Sequence, residues 1–296
     1  MSFSYRDETK ELNDLTRKEE SGSFIQLSDG FTHYDLSNPG SENTVVLIHG
    51  FSVPYYIYDP TFEFLTQSGF RVLRYDLYGR GFSDRPDEKY NIDLFVRQLR
   101  DLLDTLQLEQ QPVTLVGLST GGPIATVFAV RYPERVNKLV LIDPVGAKPL
   151  PYARSLKLAT LPVLGETILG LIGNGNLAKN ILSDFFDRTF IDYFQSRYVV
   201  QMQYKGFKRA ILSTIRNHML DSFMDDYQRV GQMKKPVLLL WGRNDATVPF
   251  DHSDELRKVI PQIEFHAFDN CGHIPHFEKA DEVNPILLEF LRRSVH

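Results

Sequence analysis

A serine framed by glycines, Gly117-Leu118-Ser119-Thr120-Gly121, follows the apolar run Val113-Thr114-Leu115-Val116 and precedes Gly122-Pro123 and a helical pattern. Strand, sharp turn and helix in that order make a nucleophile elbow, with the hydroxyl at the tip of the turn. Glycine suits positions 117 and 121 because strand and helix backbones approach closely there and leave no room for a Cβ. The five residues alone would equally describe a glycine-rich turn with a capping serine. The flanking strand and helix decide for the nucleophile. A dinucleotide loop is the rival use of glycines, but Gly-x-Gly-x-x-Gly is matched neither here nor at Gly79-Arg80-Gly81-Phe82-Ser83-Asp84.

A serine hydroxyl attacks only when a base takes its proton, so an acid and then a histidine should follow it in the chain. Among eight histidines, His273 in Asp269-Asn270-Cys271-Gly272-His273 comes directly after an apolar run, and His276 is its rival. His33, His218, His252, His266 and His296 read as surface or strand positions. For the acid, Asp245 in Trp241-Gly242-Arg243-Asn244-Asp245 is favoured over Asp143, which also stands at a strand end in Leu141-Ile142-Asp143-Pro144. The acid would hold the imidazole tautomer and stabilise the imidazolium without taking the proton. Asp251 and Asp254 read as helix-start residues.

Acyl transfer also needs donors for a developing oxyanion. The backbone amide of Thr120 is one candidate, and that of Phe51 in His49-Gly50-Phe51-Ser52 is the other. His49 reads as a brace for that loop.

These residues require a scaffold that brings strand ends together. Thr44–Ile48, Arg71–Tyr75, Val113–Val116, Lys138–Ile142, Pro236–Trp241 and Ile263–Ala267 are short apolar runs without alternation, as expected of buried parallel strands. Helical patterns fall between them at Asp59–Ser68, Ile92–Leu106, Pro123–Tyr132, Ser253–Val259 and Asp281–Arg293. The expected fold is therefore α/β, a doubly wound, mostly parallel sheet with its site beyond the carboxyl ends of the strands. From 146 to 232 the rhythm breaks and the pattern is helical, which predicts an inserted helical cap. The expected organisation is a polar, solvated N-terminal extension over 1–22, a core formed by 23–145 and 233–296, and the cap between them. No internal repeat or low-complexity segment interrupts it.

Composition excludes several classes. The 296 residues have a formal net charge of −5, and no Lys/Arg block supports a nucleic-acid surface. The single cysteine, Cys271, cannot form an internal disulfide. The charged N-terminus lacks a secretory h-region, and no stretch reaches the ~18 apolar residues of a membrane span, so a cytoplasmic location is expected. Neither His-Glu-x-x-His nor paired-cysteine spacing occurs, and neither metal nor cofactor is expected.

The ordered set of motifs resembles the α/β-hydrolase fold superfamily over residues 40 to 293. It comprises His49-Gly50-Phe51, Asp76 to Asp84, Gly117 to Gly122, Trp241 to Asp245 with Val248-Pro249, and Gly272-His273 followed by Glu278. The resemblance implies nucleophile, acid and base at Ser119, Asp245 and His273, with Phe51 and Thr120 as oxyanion donors, and gives Arg80 and Asp84 structural roles. A serine at the elbow argues against the haloalkane dehalogenases and epoxide hydrolases, which carry aspartate there. Dienelactone hydrolases use cysteine. Esterases, lipases, carbon–carbon bond hydrolases and perhydrolases remain.

The His49-Gly50-Phe51-Ser52 loop looks more like carboxylesterases and monoacylglycerol lipases than carbon–carbon hydrolases. Thr120 departs from the methionine or glutamine frequent after the serine. The leading expectation is hydrolysis of a small-molecule carboxylic ester with an apolar acyl group through an acyl-serine. The alternatives are a carbon–carbon bond hydrolase of diketones or dienols and a ligand receptor without turnover. Aromatic residues Tyr55, Tyr56, Phe186, Phe190 and Phe194 are the candidate substrate pocket, although packing within the cap explains such residues equally.

Overall fold

The computed structural model describes residues 5–38, 40–150, 160–171, 174, 178 and 184–294. Eight strands form one sheet: β1 (Ser23–Leu27), β2 (Gly30–Ser37), β3 (Thr44–Ile48), β4 (Arg71–Tyr75), β5 (Val113–Leu118), β6 (Val136–Ile142), β7 (Val237–Gly242) and β8 (Ile263–Phe268). Their spatial order is β1-β2-β4-β3-β5-β6-β7-β8. The first two strands pair antiparallel, as do β2 and β4, and every other pairing is parallel.

The six expected parallel strands are all present, and the edge hairpin β1–β2 adds to them. Its two-residue turn, Ser28-Asp29, connects Leu27 to Gly30. The Asp-Gly pair between alternating residues is a hairpin signal that the search for continuous apolar runs passes over, because an edge strand is half exposed.

Alternation across the central strands builds two cores. Val46 and Ile48 face α3 (Ile92–Thr105) and α4 (Gly121–Arg131), while Val45 and Leu47 face α2 (Asp59–Gln67) and the C-terminal helix Ala280–Arg292. In α3, Asn91 caps the first turn by accepting the Leu94 amide at 3.0 Å. Its stripe Leu94, Phe95, Leu99, Leu102 and Leu103 is buried, each side chain contributing about 1.5–3 kcal/mol of transfer free energy.

Between β6 and β7 the regular elements among the described residues are helical, the longer ones being Leu164–Leu171, Ile191–Gln201, Phe207–Arg216 and Met224–Gln232. The N-terminal segment departs from the solvated expectation. Tyr5 and Glu8 are buried, and the Glu8 carboxylate accepts the amides of Gly206 and Lys208, both at 2.7 Å. A carboxylate on the open amides of a helix start complements the helix dipole. The sequence signal is weak because the partner lies 200 residues away.

Candidate functional site

Ser119 is the first residue past β5 and has φ +53°, a left-handed conformation uncommon outside glycine. Surrounding backbone holds it there. Its amide donates to the Ile142 carbonyl at 2.9 Å, and its carbonyl accepts the amides of Gly122 at 3.0 Å and Val145 at 3.2 Å. A Cβ at Gly121 would lie 2.2 Å from the Ile48 carbonyl oxygen, so only glycine lets α4 start this close to β3. The serine is thereby aimed over the ends of β3, β5 and β6.

Thr120 sits at the N-terminus of α4, where the helix dipole favours developing negative charge. The Phe51 loop is fixed from below. Buried Arg80 donates from Nε to the Phe51 carbonyl at 2.8 Å and from Nη2 to Thr214 Oγ1 at 2.8 Å. His49 accepts the Leu77 amide at Nε2 (2.9 Å) and therefore donates from Nδ1 to the Gly50 carbonyl (2.8 Å). Burial pushes the His49 pKa down to about 4, so the ring stays neutral as a brace.

The acid and base loops meet at the ends of β7 and β8. Asn244 donates its amide to Cys271 at 2.9 Å and Arg243 to Phe268 at 3.0 Å. A Cβ on Gly242 would lie 1.9 Å from the Gly272 carbonyl oxygen. Trp241 Nε1 donates to the Val248 carbonyl at 3.2 Å and closes the acid loop. The result is a 2.7 Å contact between His273 Nδ1 and Asp245 Oδ2, with both side chains buried. Asp245 Oδ1 accepts the amides of Thr247 and Val248, each at 2.8 Å. Those donors engage both lone pairs of Oδ1.

Burial works against a charged His273, but the adjacent, hydrogen-bonded Asp245 carboxylate outweighs it and the imidazole pKa is raised. With Nδ1 engaged by the acid, Nε2 is the nitrogen left for proton transfer. The rival His276 lies buried against Tyr58, with ring centroids 4.7 Å apart. Burial, followed by repulsion from His273, drives its pKa down to about 3.

Asp143, the other candidate acid, adjoins this pair rather than replacing Asp245. One ligand-type atom from each of Asp143, Asp245 and His273 lies within 4.8 Å of the others. That grouping has metal-site dimensions, yet Asp245 and His273 spend these atoms on each other. A metal would have to break the contact that orients the base.

Two further residues tie this site to the helical interval. Glu278 accepts the Gly272 amide on Oε1 at 2.8 Å, and on Oε2 the amides of Phe186 (2.9 Å) and Asp187 (2.8 Å). Asp184 accepts the His273 amide on its carbonyl at 2.8 Å and Thr247 Oγ1 on Oδ1 at 2.6 Å. Sequence reading gives Asp184 no role, and Glu278 none beyond the resemblance. Neither residue stands at the end of a strand.

The candidate pocket residues separate. Tyr56 packs on Phe194 with ring centroids 5.7 Å apart, and Phe194 reaches Phe277 at 4.7 Å, with Phe190 on the other side of Phe277 at 5.4 Å. Tyr55 instead stacks on His33 at 4.8 Å beneath Arg74. Phe186 is 48% exposed.

The sequence model described as "alpha/beta hydrolase fold" matches residues 43–280. A 2-hydroxy-6-oxo-6-phenylhexa-2,4-dienoate hydrolase of Comamonas testosteroni is 31% identical over 283 residues, covering 90% of this chain and 93% of the relative. A 2-hydroxy-6-oxononadienedioate/2-hydroxy-6-oxononatrienedioate hydrolase of Pseudomonas putida is 32% identical over 292 residues, 94% of this chain and 98% of the relative. Among solved structures, a meta-cleavage product hydrolase from Pseudomonas fluorescens IP01 superposes with a TM-score of 0.76 at 26% identity, covering 91% of this chain and 97% of that one.

These relatives overturn the expectation of carboxylic-ester cleavage by a carboxylesterase or lipase, since they are named for dienoate substrates. The expectation leaned on His49-Gly50-Phe51-Ser52, a loop expected to act through backbone amides, for which side chains discriminate poorly. Among the described residues no helix is long and apolar enough to cross a membrane. The matched span, the parallel sheet and the relatives agree: this chain is a hydrolase that belongs to the α/β-hydrolase fold family.

Proposed function

We propose that the chain hydrolyses a carbon–carbon bond in a 2-hydroxy-6-oxo-dienoate, the second of the expectations from sequence. The observation that carries this reading is near full-length similarity, at 31–32% identity, to two hydrolases named for such compounds. The dienol first ketonises, its O2 proton moving to C5, so that C5 becomes conjugated through C3=C4 to a C2 carbonyl able to accept an electron pair. Ser119 Oγ then bonds to C6 while His273 takes its proton, and the amides of Phe51 and Thr120 hold the oxyanion.

The C5–C6 bond breaks with its electrons delocalised onto O2, which takes the proton from His273 and leaves as a 2-hydroxydienoate. Water, deprotonated by His273, releases the acyl group from Ser119 as a carboxylic acid, and the proton returns to the serine. Asp245 stabilises the imidazolium in both halves. Residues 146–232 act as a cap whose Tyr56-facing side, with Phe194 and Phe190, walls the pocket, and the small-molecule substrate is met in the cytoplasm.

The test is turnover of 2-hydroxy-6-oxo-6-phenylhexa-2,4-dienoate, followed by loss of dienolate absorbance. Wild type should consume it and Ser119→Ala should be slower by about 10³-fold or more. Equal rates in the two proteins would remove Ser119 from the reaction.

A further inference from the structure

We propose that Asp143 is a positioning residue for the triad acid: its carboxyl donates an O–H···O hydrogen bond to Asp245 and so fixes the carboxylate that orients His273. Asp143 is the first residue past β6, is fully buried and has φ +41°. Its amide donates to the Leu240 carbonyl at 3.0 Å, and its Oδ1 accepts the Gly242 amide at 3.0 Å, both from β7. The side chain is thus anchored to the strand that delivers Asp245. Its other oxygen, Oδ2, is buried and meets no donor among the described residues.

A buried carboxylate oxygen without a donor is costly, and a proton turns it into a donor itself. The acceptor at hand is Asp245, one of whose carboxylate oxygens lies within 4.8 Å of an Asp143 carboxylate oxygen. The oxygens of Asp245 already receive three donors, the Thr247 and Val248 amides and His273 Nδ1, whereas Asp143 Oδ2 receives none among the described residues, so the donor proton is assigned to Asp143. The surroundings agree in sign. Burial first, then the charges of Asp245 and Glu278, push the Asp143 carboxyl well above the usual carboxylate range, against the Gly242 amide. Of the two aspartates, Asp245 is then the one whose charge faces His273, beside the charges of Asp184 and Glu278, and Asp143 supplies the fourth donor to Asp245.

This inference rests on the assignment of Asp245 and His273 to the triad, so the experiment carries a readout independent of turnover. Infrared difference spectra of the full chain, with and without carboxyl-labelled aspartate, should show a buried protonated carboxyl at neutral pH that disappears in Asp143→Asn. In kinetics, Asp143→Asn retains an N–H donor and should keep kcat/KM within about threefold. Asp143→Ala should lose about 10- to 100-fold, as expected when a charge-assisted hydrogen bond is lost.

The acid limb of its pH profile should also shift. Fluorophosphonate labelling of Ser119 provides the same comparison if the dienoate is not the substrate. A neutral-pH spectrum without the protonated carboxyl, or equal losses in Asp143→Asn and Asp143→Ala, would overturn the proposal. The spectrum and Asp143→Asn decide the matter even if Asp143→Ala fails to fold.

Discussion

Glu278 holds the Gly272 amide at 2.8 Å, one residue before His273, the proposed base. Its other oxygen grips Phe186 and Asp187 of the helical interval, so one carboxylate fixes the base loop and the segment above it together. Glu278→Gln replaces one accepting oxygen with a donor that faces an amide. It should lower kcat/KM by about tenfold and stability by about 1–3 kcal/mol, read by steady-state kinetics and thermal unfolding. Unchanged values in both would show that the clamp is dispensable.

The contact between His273 Nδ1 and Asp245 Oδ2 predicts a pH signature. The base is active when neutral, and Asp245 raises its pKa, so activity should fall with decreasing pH along a limb above the ordinary histidine value of about 6.5. Asp245→Asn should cut kcat by about 10³–10⁴ and move that limb downwards. A limb left in place would mean that another group sets it.

The elbow around Ser119 is legible in sequence because its strand, turn and helix are contiguous. The choice between Asp143 and Asp245 is different. Both end an apolar strand, and only the neighbouring placement of β6, β7 and β8 brings the two carboxyls to one histidine. The bonds of Asp184 and Glu278 to other segments span 63 and 92 residues, and no periodic pattern announces such pairings. The substrate class escaped for a related reason: the oxyanion donors expected at Phe51 and Thr120 are backbone amides, about which side chains say little.

The elbow tolerates no side chain at position 121. Gly121→Ala places a methyl 2.2 Å from the Ile48 carbonyl oxygen, and both backbones must shift to admit it. A loss of more than about 3 kcal/mol is expected, read by denaturant unfolding or as failure to accumulate folded protein. Wild-type stability would show that the elbow relaxes easily.

Acid sensitivity should come in part from His276. Its folded pKa of about 3 lies below the unfolded value, so the unfolded chain binds more protons and stability declines as pH falls below about 6.5. His276→Leu should remove up to about 2 kcal/mol of that decline by pH 5 and change little at pH 8. Asp143 acts with the opposite sign. Its raised folded pKa makes stability fall as pH rises from the ordinary carboxylate range, and Asp143→Asn should flatten that slope.

The most direct test of the reaction is the ratio of kcat/KM for 2-hydroxy-6-oxo-6-phenylhexa-2,4-dienoate to that for p-nitrophenyl butyrate, measured on one preparation. Carbon–carbon hydrolysis predicts that the dienoate is preferred by about 100-fold or more, with both activities lost in Ser119→Ala. Efficient ester cleavage with no consumption of the dienoate would contradict it.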